Sequence, residues 1–167
     1  MIYNKMALFK AIENRNSSEI IKYLAYNEYY INEPYGLNLL HYACENKNSL
    51  EVIKYLVKKT NYINDQNKHG FTVLHIACQY QNDFEVIKYL VKNSDCINKP
   101  NKNGFTVLHF ACKFKNSLEV IKYLVKNSNC INKQNKDGLS ILHLACQYHS
   151  SLEIIKYLVK NSNCINK

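Results

Sequence analysis

Two hydrophobic patterns alternate along the chain, and both have helical spacing. In the first, Leu74, Ala77 and Cys78 lie at positions i, i+3 and i+4, which places them on one face of a helix. The second follows a short polar segment and has apolar residues at i, i+3, i+6 and i+7, namely Phe84, Ile87, Leu90 and Val91. These patterns predict an all-α chain built from pairs of short helices.

The residues at the ends of these segments support the helix boundaries. Thr72 precedes the first helix, and threonine caps a helix N-terminus by accepting a hydrogen bond from a free backbone N–H. Glu85 lies in the first turn of the second helix and Lys92 near its end, so both charges interact favourably with the helix dipole. The segment 98–104 is rich in Asn, Lys and Gly, which predicts a turn because Asn and Gly tolerate positive φ.

The pair of patterns recurs with a fixed period. Glycines lie 34 residues apart, at Gly36, Gly70, Gly104 and Gly138. A histidine follows each glycine by five residues, at His41, His75, His109 and His143. A unit of this size cannot bury its apolar faces alone, whereas stacked units complete a core between neighbours. The period therefore predicts an elongated solenoid in which short hairpin-like turns connect successive helix pairs.

The repeated segments resemble the ankyrin repeat. Its Thr-Pro-Leu-His-x-Ala signature is matched by Thr72 to Ala77 except at the proline, and 106–111 and 140–145 vary the same pattern. The resemblance implies an ankyrin-repeat solenoid with a single domain over residues 1–167. Its implied units are a degenerate N-terminal unit at 1–31 and full repeats at 32–65, 66–99, 100–133 and 134–167.

Three departures from the ankyrin pattern predict altered loop geometry. The signature proline is replaced by Leu39, Val73, Val107 and Ile141, and the family's glycine between the two helices is missing. The glycine after the second helix is replaced by Thr60, Ser94, Ser128 and Ser162. We expect Asn93 and Asn127 to end their helices in a left-handed conformation instead.

The repeated histidines and cysteines are expected to be structural. Histidines from layers of helices about 8–10 Å apart cannot converge on one metal ion, and the resemblance implies that each braces the turn between repeats. One set of cysteines takes a small inward position and is expected to be buried and free: Cys44, Cys78, Cys112 and Cys146. The second set follows the second helix and is expected to be partly exposed, with redox sensing as an alternative role: Cys96, Cys130 and Cys164. We predict no catalytic residue, metal or cofactor.

The second helices repeat a Glu-x-x-Lys-Tyr arrangement. Glu119 and Lys122 lie three residues apart, and such pairs stabilise an exposed helix by about 0.2–0.5 kcal/mol. Tyr123 and its equivalents Tyr55, Tyr89 and Tyr157 are expected to cover the helix layer with their hydroxyl groups in water. This arrangement favours a solvated outer face.

Composition limits the class of protein. The 167 residues fit one domain, and residues 1–18 lack the apolar stretch of a signal peptide. No window approaches the roughly 18 apolar residues of a membrane span. Seven cysteines in such a chain indicate reduced thiols, so we expect an intracellular, cytoplasmic protein. The formal net charge of +9 fits either an anionic partner or evenly distributed, solvated lysines.

The resemblance also implies a partner-binding surface on the concave side of the solenoid, formed by turn tips and first helices. Carried over to this sequence, it consists of Lys68, His69, Phe71, Gln79, Tyr80, Lys102, Asn103, Phe105, Lys113, Phe114, Lys136, Asp137, Leu139, Gln147 and Tyr148. Its aromatic residues would form a strip with a basic rim, which suits a protein or peptide bearing apolar and acidic residues. Alternatively, these rings pack against the neighbouring turn as part of the repeat.

These observations favour a non-enzymatic protein-binding scaffold or adaptor. The main alternative is a basic surface for nucleic acid or another polyanion, because aromatic rings beside lysines also suit single-stranded nucleic acid. A further alternative is the interaction segment of a larger multidomain protein. The last unit lacks a polar capping pattern, which predicts a fragment, a docked neighbour or end-to-end self-association.

Overall fold

The computed structural model describes residues 2–26, 39–60 and 62–162; Gly36 and Cys164 lie outside these ranges. Within them, ten α-helices follow one another in pairs. The first helices of the pairs are α1 (Ile2–Glu13), α3 (Leu39–Glu45), α5 (Val73–Gln79), α7 (Val107–Lys113) and α9 (Ile141–Gln147). The second helices are α2 (Ser18–Leu24), α4 (Leu50–Lys59), α6 (Phe84–Asn93), α8 (Leu118–Asn127) and α10 (Leu152–Asn161). The all-α prediction is confirmed.

The helix pairs stack in chain order to form a two-layer solenoid. Each first helix packs against the first helix of the next pair, from α1 on α3 through α7 on α9. The second helices form the other layer in the same order, from α2 on α4 through α8 on α10. Contacts between helices are therefore made within a pair or with a neighbouring pair, as expected for a repeat array.

The core lies between the two layers and runs along the stack. Leu74, Ala77 and Cys78 are fully buried on one face of α5, as their spacing predicts. In α6, Ile87 and Leu90 are buried, whereas the flanking Phe84 and Val91 are half-buried. Val86 is also buried, although the apolar spacing did not single it out. Because α6 packs between α4 and α8, its buried face is wider than a single stripe.

The first helices begin with a reciprocal cap that uses the repeated histidine. The Oγ1 atom of Thr72 accepts a hydrogen bond from the backbone N–H of His75, and the Nδ1 atom of His75 accepts from the N–H of Thr72. Both of these N–H groups would otherwise lack an intrahelical partner. The same arrangement occurs with Thr106 and Ser140 as the capping residues. The N-cap prediction for Thr72 is therefore confirmed.

The prediction of left-handed C-caps at Asn93 and Asn127 is wrong. Helix α6 ends at Ser94 in an extended conformation, with φ of −131°. The Asn93 side chain donates to the Tyr89 carbonyl, and the Ser94 hydroxyl donates to the Leu90 carbonyl, each over 2.7 Å. Because side chains satisfy these terminal carbonyls, the backbone needs no left-handed residue there.

Left-handed residues occur instead in the loop between the two helices of a pair. Non-glycine residues with positive φ, between 51° and 55°, recur there once per pair: Arg15, Lys47, Gln81, Lys115 and His149. This is the loop in which the ankyrin pattern has a glycine. The loop therefore keeps the left-handed geometry that glycine favours while carrying a side chain.

The structure changes two predictions about cysteine exposure. Cys44, Cys78 and Cys112 are buried as expected, but Cys146 is exposed because no further helix packs over it in the described part of the chain. Cys96 and Cys130, expected to be partly exposed, are buried. Their thiols lie against the turn of the preceding unit, near the backbone carbonyls of Ile63 and Asn98 respectively.

The second-helix layer is held by contacts within and between units. Lys88 and Glu85 form the predicted i, i+3 pair at 3.1 Å, and Lys22 pairs with Glu51 of the next unit. The hydroxyl of Tyr55 donates to the carbonyl of Lys22. The prediction that this hydroxyl lies free in water is therefore wrong. Its ring is half-buried, so this tyrosine ties two units together.

Candidate partner-binding site

A ladder of histidines fixes the backbone at the base of each turn. The Nε2 atoms of three histidines lie close to backbone carbonyl oxygens of the following units. The distance is 2.9 Å from His41 to Phe71, 3.0 Å from His75 to Phe105 and 3.2 Å from His109 to Leu139. Because Nδ1 of His75 accepts from a backbone N–H, the ring proton resides on Nε2, which donates to the carbonyl. Burial lowers the pKa of His75 to about 4, so the ring is neutral near pH 7. The bracing role implied by the resemblance is confirmed for these three histidines, whereas His143 makes no such bond among the described residues.

The turn tips are stacked by backbone hydrogen bonds. The N–H of Lys102 donates to the carbonyl of His69 over 3.3 Å, and the N–H of Lys136 donates to that of Asn103 over 3.1 Å. Gly70 has a φ of +79°, and a Cβ atom there would lie 2.7 Å from the Lys102 nitrogen. The tips therefore form a continuous edge whose exposed side chains are Lys68, His69, Lys102, Asn103, Lys136 and Asp137.

A cluster of phenylalanine rings lies behind this edge. Phe110, which is 5% exposed, has its ring centroid 5.2 Å from that of Phe71, 5.5 Å from Phe114 and 6.1 Å from Phe105. Sequence reasoning missed Phe110 because its position in the repeat is occupied by ordinary core residues, such as Ile76. The signal was its aromatic side chain, since its ring reaches Phe71 and His75 of the preceding unit, whereas an aliphatic residue only fills the core.

Lys113 lies among three of the residues predicted to bind a partner. Its Nζ atom is 5.7 Å from the ring centroid of Phe105, 5.6 Å from Phe114 and 5.7 Å from Tyr148. Tyr148 follows α9, so the group spans two neighbouring units. Cation–π contacts of this kind contribute about 0.5–1 kcal/mol each at exposed sites. We refer to Phe105, Lys113, Phe114 and Tyr148 as the Lys113 patch.

Other predicted residues take part in contacts between units. The hydroxyl of Tyr80 donates to the carboxylate of Glu45 over 2.7 Å, and this bond raises the pKa of Tyr80 to about 12. Tyr80 thus joins its unit to the preceding one. Tyr148 takes the equivalent position two units later, where it contacts Lys113 of the preceding unit. Gln79 is half-buried and Gln147 is exposed, and Leu139 is half-buried.

The rings of the Lys113 patch, and that of Phe71 beside Phe110, are neither fully exposed nor fully buried. Phe71, Phe105, Phe114 and Tyr148 are all half-buried. The inner part of Phe71 and Phe105 packs on Phe110 and on the histidine of the same unit. These rings therefore pack partly on residues of the first helices, and part of each ring stays accessible.

Comparison with known families agrees with this geometry. A family model described as ankyrin repeats (3 copies) matches residues 8–101 and 94–167. The chain belongs to the ankyrin-repeat family. Proteins of this family generally act as protein-interaction modules and are typically non-enzymatic scaffolds. No match was found among curated proteins.

Among the described residues, no three or more His, Cys, Asp or Glu side chains are grouped so that they could hold a metal ion. In the same part of the chain, every helix is too short or too polar to cross a membrane.

Proposed function

We propose that this ankyrin array is a scaffold or adaptor that binds another protein through the Lys113 patch. The observation that carries the proposal is the position of the Lys113 ammonium over three half-buried rings from two units. Apolar anchors that surround one charged group form the kind of centre at which binding energy concentrates in protein interfaces.

The charges near the patch favour an acidic partner. Ion pairs in the described residues join Lys22 to Glu51 and Lys88 to Glu85, whereas Lys113 is not paired with a carboxylate there. A partner carboxylate would therefore find an unpaired ammonium already held in place by the rings. Lys68, Lys102 and Lys136 at the stacked tips add positive charge along the same edge.

The partner would also need apolar side chains. The accessible parts of Phe105, Phe114 and Tyr148 flank the ammonium, so an acidic residue next to Leu or Phe fits the arrangement. The remaining predicted positions, at the tips and on the first helices, would form the rim. We therefore propose an extended peptide segment that combines apolar and acidic residues as the ligand class.

A peptide library tests this proposal directly. Labelled 12-residue peptides that combine Leu or Phe with Glu or Asp would be compared with peptides in which the acidic residues are replaced by Lys, using fluorescence anisotropy. We expect acidic peptides to bind better, and we expect Lys113→Ala and Phe114→Ala to weaken the best binder at least about tenfold.

Lys122→Ala is the matched control, because Lys122 lies 5.8 Å from the ring of Tyr157 on the second-helix layer. This variant removes a similar lysine–ring contact away from the patch and should leave the affinity unchanged. Equal loss in the Lys113 and Lys122 variants, or no preference for acidic peptides, would exclude the patch as the binding centre.

Nucleic-acid binding is the second candidate, supported by the net charge of +9 and the lysines beside aromatic rings. A labelled single-stranded oligonucleotide distinguishes it through salt dependence. Displacement of counterions from a polyanion makes affinity fall steeply between about 50 and 200 mM salt, whereas a largely apolar peptide interface changes little. Tight oligonucleotide binding with a steep salt slope would replace the protein-binding proposal.

A further inference from the structure

Positive charge is concentrated along one edge of the array. The turns that connect successive helix pairs hold five exposed lysines, namely Lys68, Lys99, Lys102, Lys133 and Lys136. The second helices end at the same edge, and their last turns add Lys58, Lys59, Lys92, Lys126 and Lys160. We call these lysines, with the turns that hold them, the turn edge. Its carboxylates among the described residues are those of Asp65, Asp95 and Asp137.

The opposite edge, where short loops join the two helices of a pair, carries most of the described acidic residues. The second helices begin there, with Glu19, Glu51, Glu85, Glu119 and Glu153 in their first turns. Glu13, Glu45 and Asp83 lie at the same loops. The lysines are therefore not distributed evenly over the protein, which removes one of the two interpretations of the net charge of +9.

Helix dipoles explain only part of this separation. Lysines in the last turns of the second helices, such as Lys92 and Lys126, interact favourably with the negative C-terminus of a helix. Lys68, Lys102 and Lys136 instead lie shortly before the first helices, whose N-termini favour negative charge. The stability of the helices therefore does not explain the position of these turn lysines.

Hydrogen bonds between successive turns hold the turn edge in a fixed arrangement. The side chain of Asn64 accepts from the N–H of Asp95 over 2.8 Å, and the side chain of Asn98 accepts from the N–H of Asn129 over 3.0 Å. The turns are therefore held in register, about 8–10 Å apart like the helices that they connect. Neither ion pair found in the described part of the chain involves a lysine of this edge.

We propose that the turn edge docks on the surface of an anionic lipid bilayer. Its lysines form a two-dimensional array rather than a single line, because the helix ends belong to one layer of the solenoid and the turn tips to the other. A negatively charged plane can attract all of these ammonium groups at once. Each lysine held near an anionic membrane surface adds to the binding, so an array fixed by the fold suits such a surface.

Nucleic acid fits the same edge less well. The exposed side chains of turns 62–70, 96–104 and 130–138 include no Phe, Tyr or Trp, so single-stranded bases would find no such ring on which to stack. The stacked turns present no projecting helix that could enter the major groove of a duplex. All of the basic groups are lysines, whereas bidentate recognition of phosphates and bases favours arginine.

Docking through the turn edge goes beyond the proposed partner binding and does not rest on it. Lys113 is the last residue of α7, whereas the turn edge lies before the first residue of this helix. A peptide could therefore occupy the Lys113 patch while the turn edge contacts the bilayer. The tip lysines belong to both proposed surfaces, so the decisive variants are at Lys99 and Lys133, which belong to the turn edge alone.

Co-sedimentation of the full chain with lipid vesicles tests the proposal. We expect the protein to sediment with vesicles of phosphatidylcholine and phosphatidylserine mixed at about 3:1, and to stay in solution with phosphatidylcholine alone. Lys99→Glu combined with Lys133→Glu should weaken binding to the anionic vesicles at least about tenfold. Both side chains are exposed, so the fold should be kept, which circular dichroism would check.

The matched control is Lys47→Glu combined with Lys115→Glu. Both lysines are exposed on the opposite edge, so this variant changes the net charge by the same amount. A second helix of ten residues, about 15 Å long, separates the two edges, which exceeds the Debye length of about 8 Å at physiological salt. The control should therefore bind anionic vesicles like the wild type.

Three results would overturn the proposal. They are an equal loss of vesicle binding in the two double variants, the same degree of sedimentation with both kinds of vesicle, and binding to a duplex oligonucleotide without binding to vesicles. The last result would assign the turn edge to nucleic acid. Lys113→Ala should leave vesicle binding unchanged, and the variant at Lys99 and Lys133 should leave peptide affinity unchanged, so failure of this proposal and failure of the partner-binding proposal are distinguishable.

Discussion

The Nε2 atom of His75 donates a hydrogen bond to the carbonyl oxygen of Phe105, 3.0 Å away in the next unit. The imidazole is fully buried and its Nδ1 atom accepts from the cap of its own helix. The ring therefore works only as the neutral Nε2–H tautomer, because a second ring proton would remove the acceptor at Nδ1. The contact between these two units depends on the absence of charge on this histidine.

Acid should consequently destabilise the array. Burial lowers the pKa of His75 from 6.5 to about 4, and it lowers the pKa values of His41 and His109 in the same direction. Between pH 6.5 and 4 the unfolded chain binds more protons than the folded one, so stability is present above 6.5 and falls as pH is lowered through this range. For His75 alone the loss amounts to about 3 kcal/mol.

Urea unfolding at pH 7.5 and pH 5 measures this effect. His75→Gln should be less stable than the wild type at pH 7.5 but lose less stability between the two pH values. His143→Gln is the control, because it removes an equivalent imidazole that is exposed and reaches no carbonyl of a following unit among the described residues. If the free energy of unfolding fell equally between the two pH values in the wild type and in His75→Gln, His75 would not be a source of the acid sensitivity.

Glycine at the left-handed loop position should stabilise the protein. Lys115 is exposed and has a φ of 55°, a conformation that costs a non-glycine residue about 1–2 kcal/mol. Lys115→Gly relieves this cost, although the more flexible unfolded chain offsets part of the gain. We expect a net increase of about 0.5–1 kcal/mol in the free energy of unfolding by urea denaturation. Lys115→Ala, which keeps the Cβ atom, should change it little.

Much of the fold could be predicted because its signals are local and repeated. The positions of Leu74, Ala77 and Cys78 predict a buried face, and their recurrence in every full unit predicts stacking. The Thr72 cap was predictable for the same reason, since capping depends on residue type and short-range geometry. The bracing role of His75 came from the resemblance to a family rather than from spacing.

The remaining features depend on neighbours that the sequence does not identify. Lys115 is not a typical turn residue, and the absence of the family's glycine from this loop predicted altered geometry rather than the left-handed backbone that is found. Phe110 has the pattern of a core residue, and its contacts with the rings of Phe71 and His75 in the preceding unit follow only from the stack. Cys146 and Cys112 both follow a Leu-His-x-Ala segment, yet Cys146 is exposed because its environment depends on the helices packed beside it.

Buried asparagines form another contact between units that the sequence analysis did not single out. The Nδ2 atom of Asn116 donates to the carbonyl of Cys78 in the preceding unit over 2.8 Å. Asn116→Ala should destabilise the protein by about 1–3 kcal/mol, because it removes two buried side-chain hydrogen bonds, to the carbonyls of Cys78 and Ala111. Asn93→Ala removes an exposed bond within one helix and should cost less than about 1 kcal/mol. Urea denaturation of both variants would test this difference, and similar losses would contradict it.

Alanine variants at Gly104 and Gly138 would distinguish the effect of backbone conformation on stability from the effect of close packing at the turn tips. Both have positive φ, at 82° and 76°. A Cβ atom at Gly104 would lie 2.9 Å from the backbone nitrogen of Lys136, whereas nothing lies within 4 Å of one at Gly138. Gly138→Ala should therefore lose only the conformational preference, about 1–2 kcal/mol.

Gly104→Ala should lose more, because the added methyl group pushes apart two tips joined by the bond from Lys136 N–H to the Asn103 carbonyl. We expect an additional cost of at least about 1 kcal/mol, measured as the difference between the two variants in urea unfolding. Amide hydrogen exchange should show faster exchange at Lys136 in Gly104→Ala alone. Equal stability of the two variants, with unchanged exchange at Lys136, would show that the tips are free to separate and that their stacking contributes little to the array.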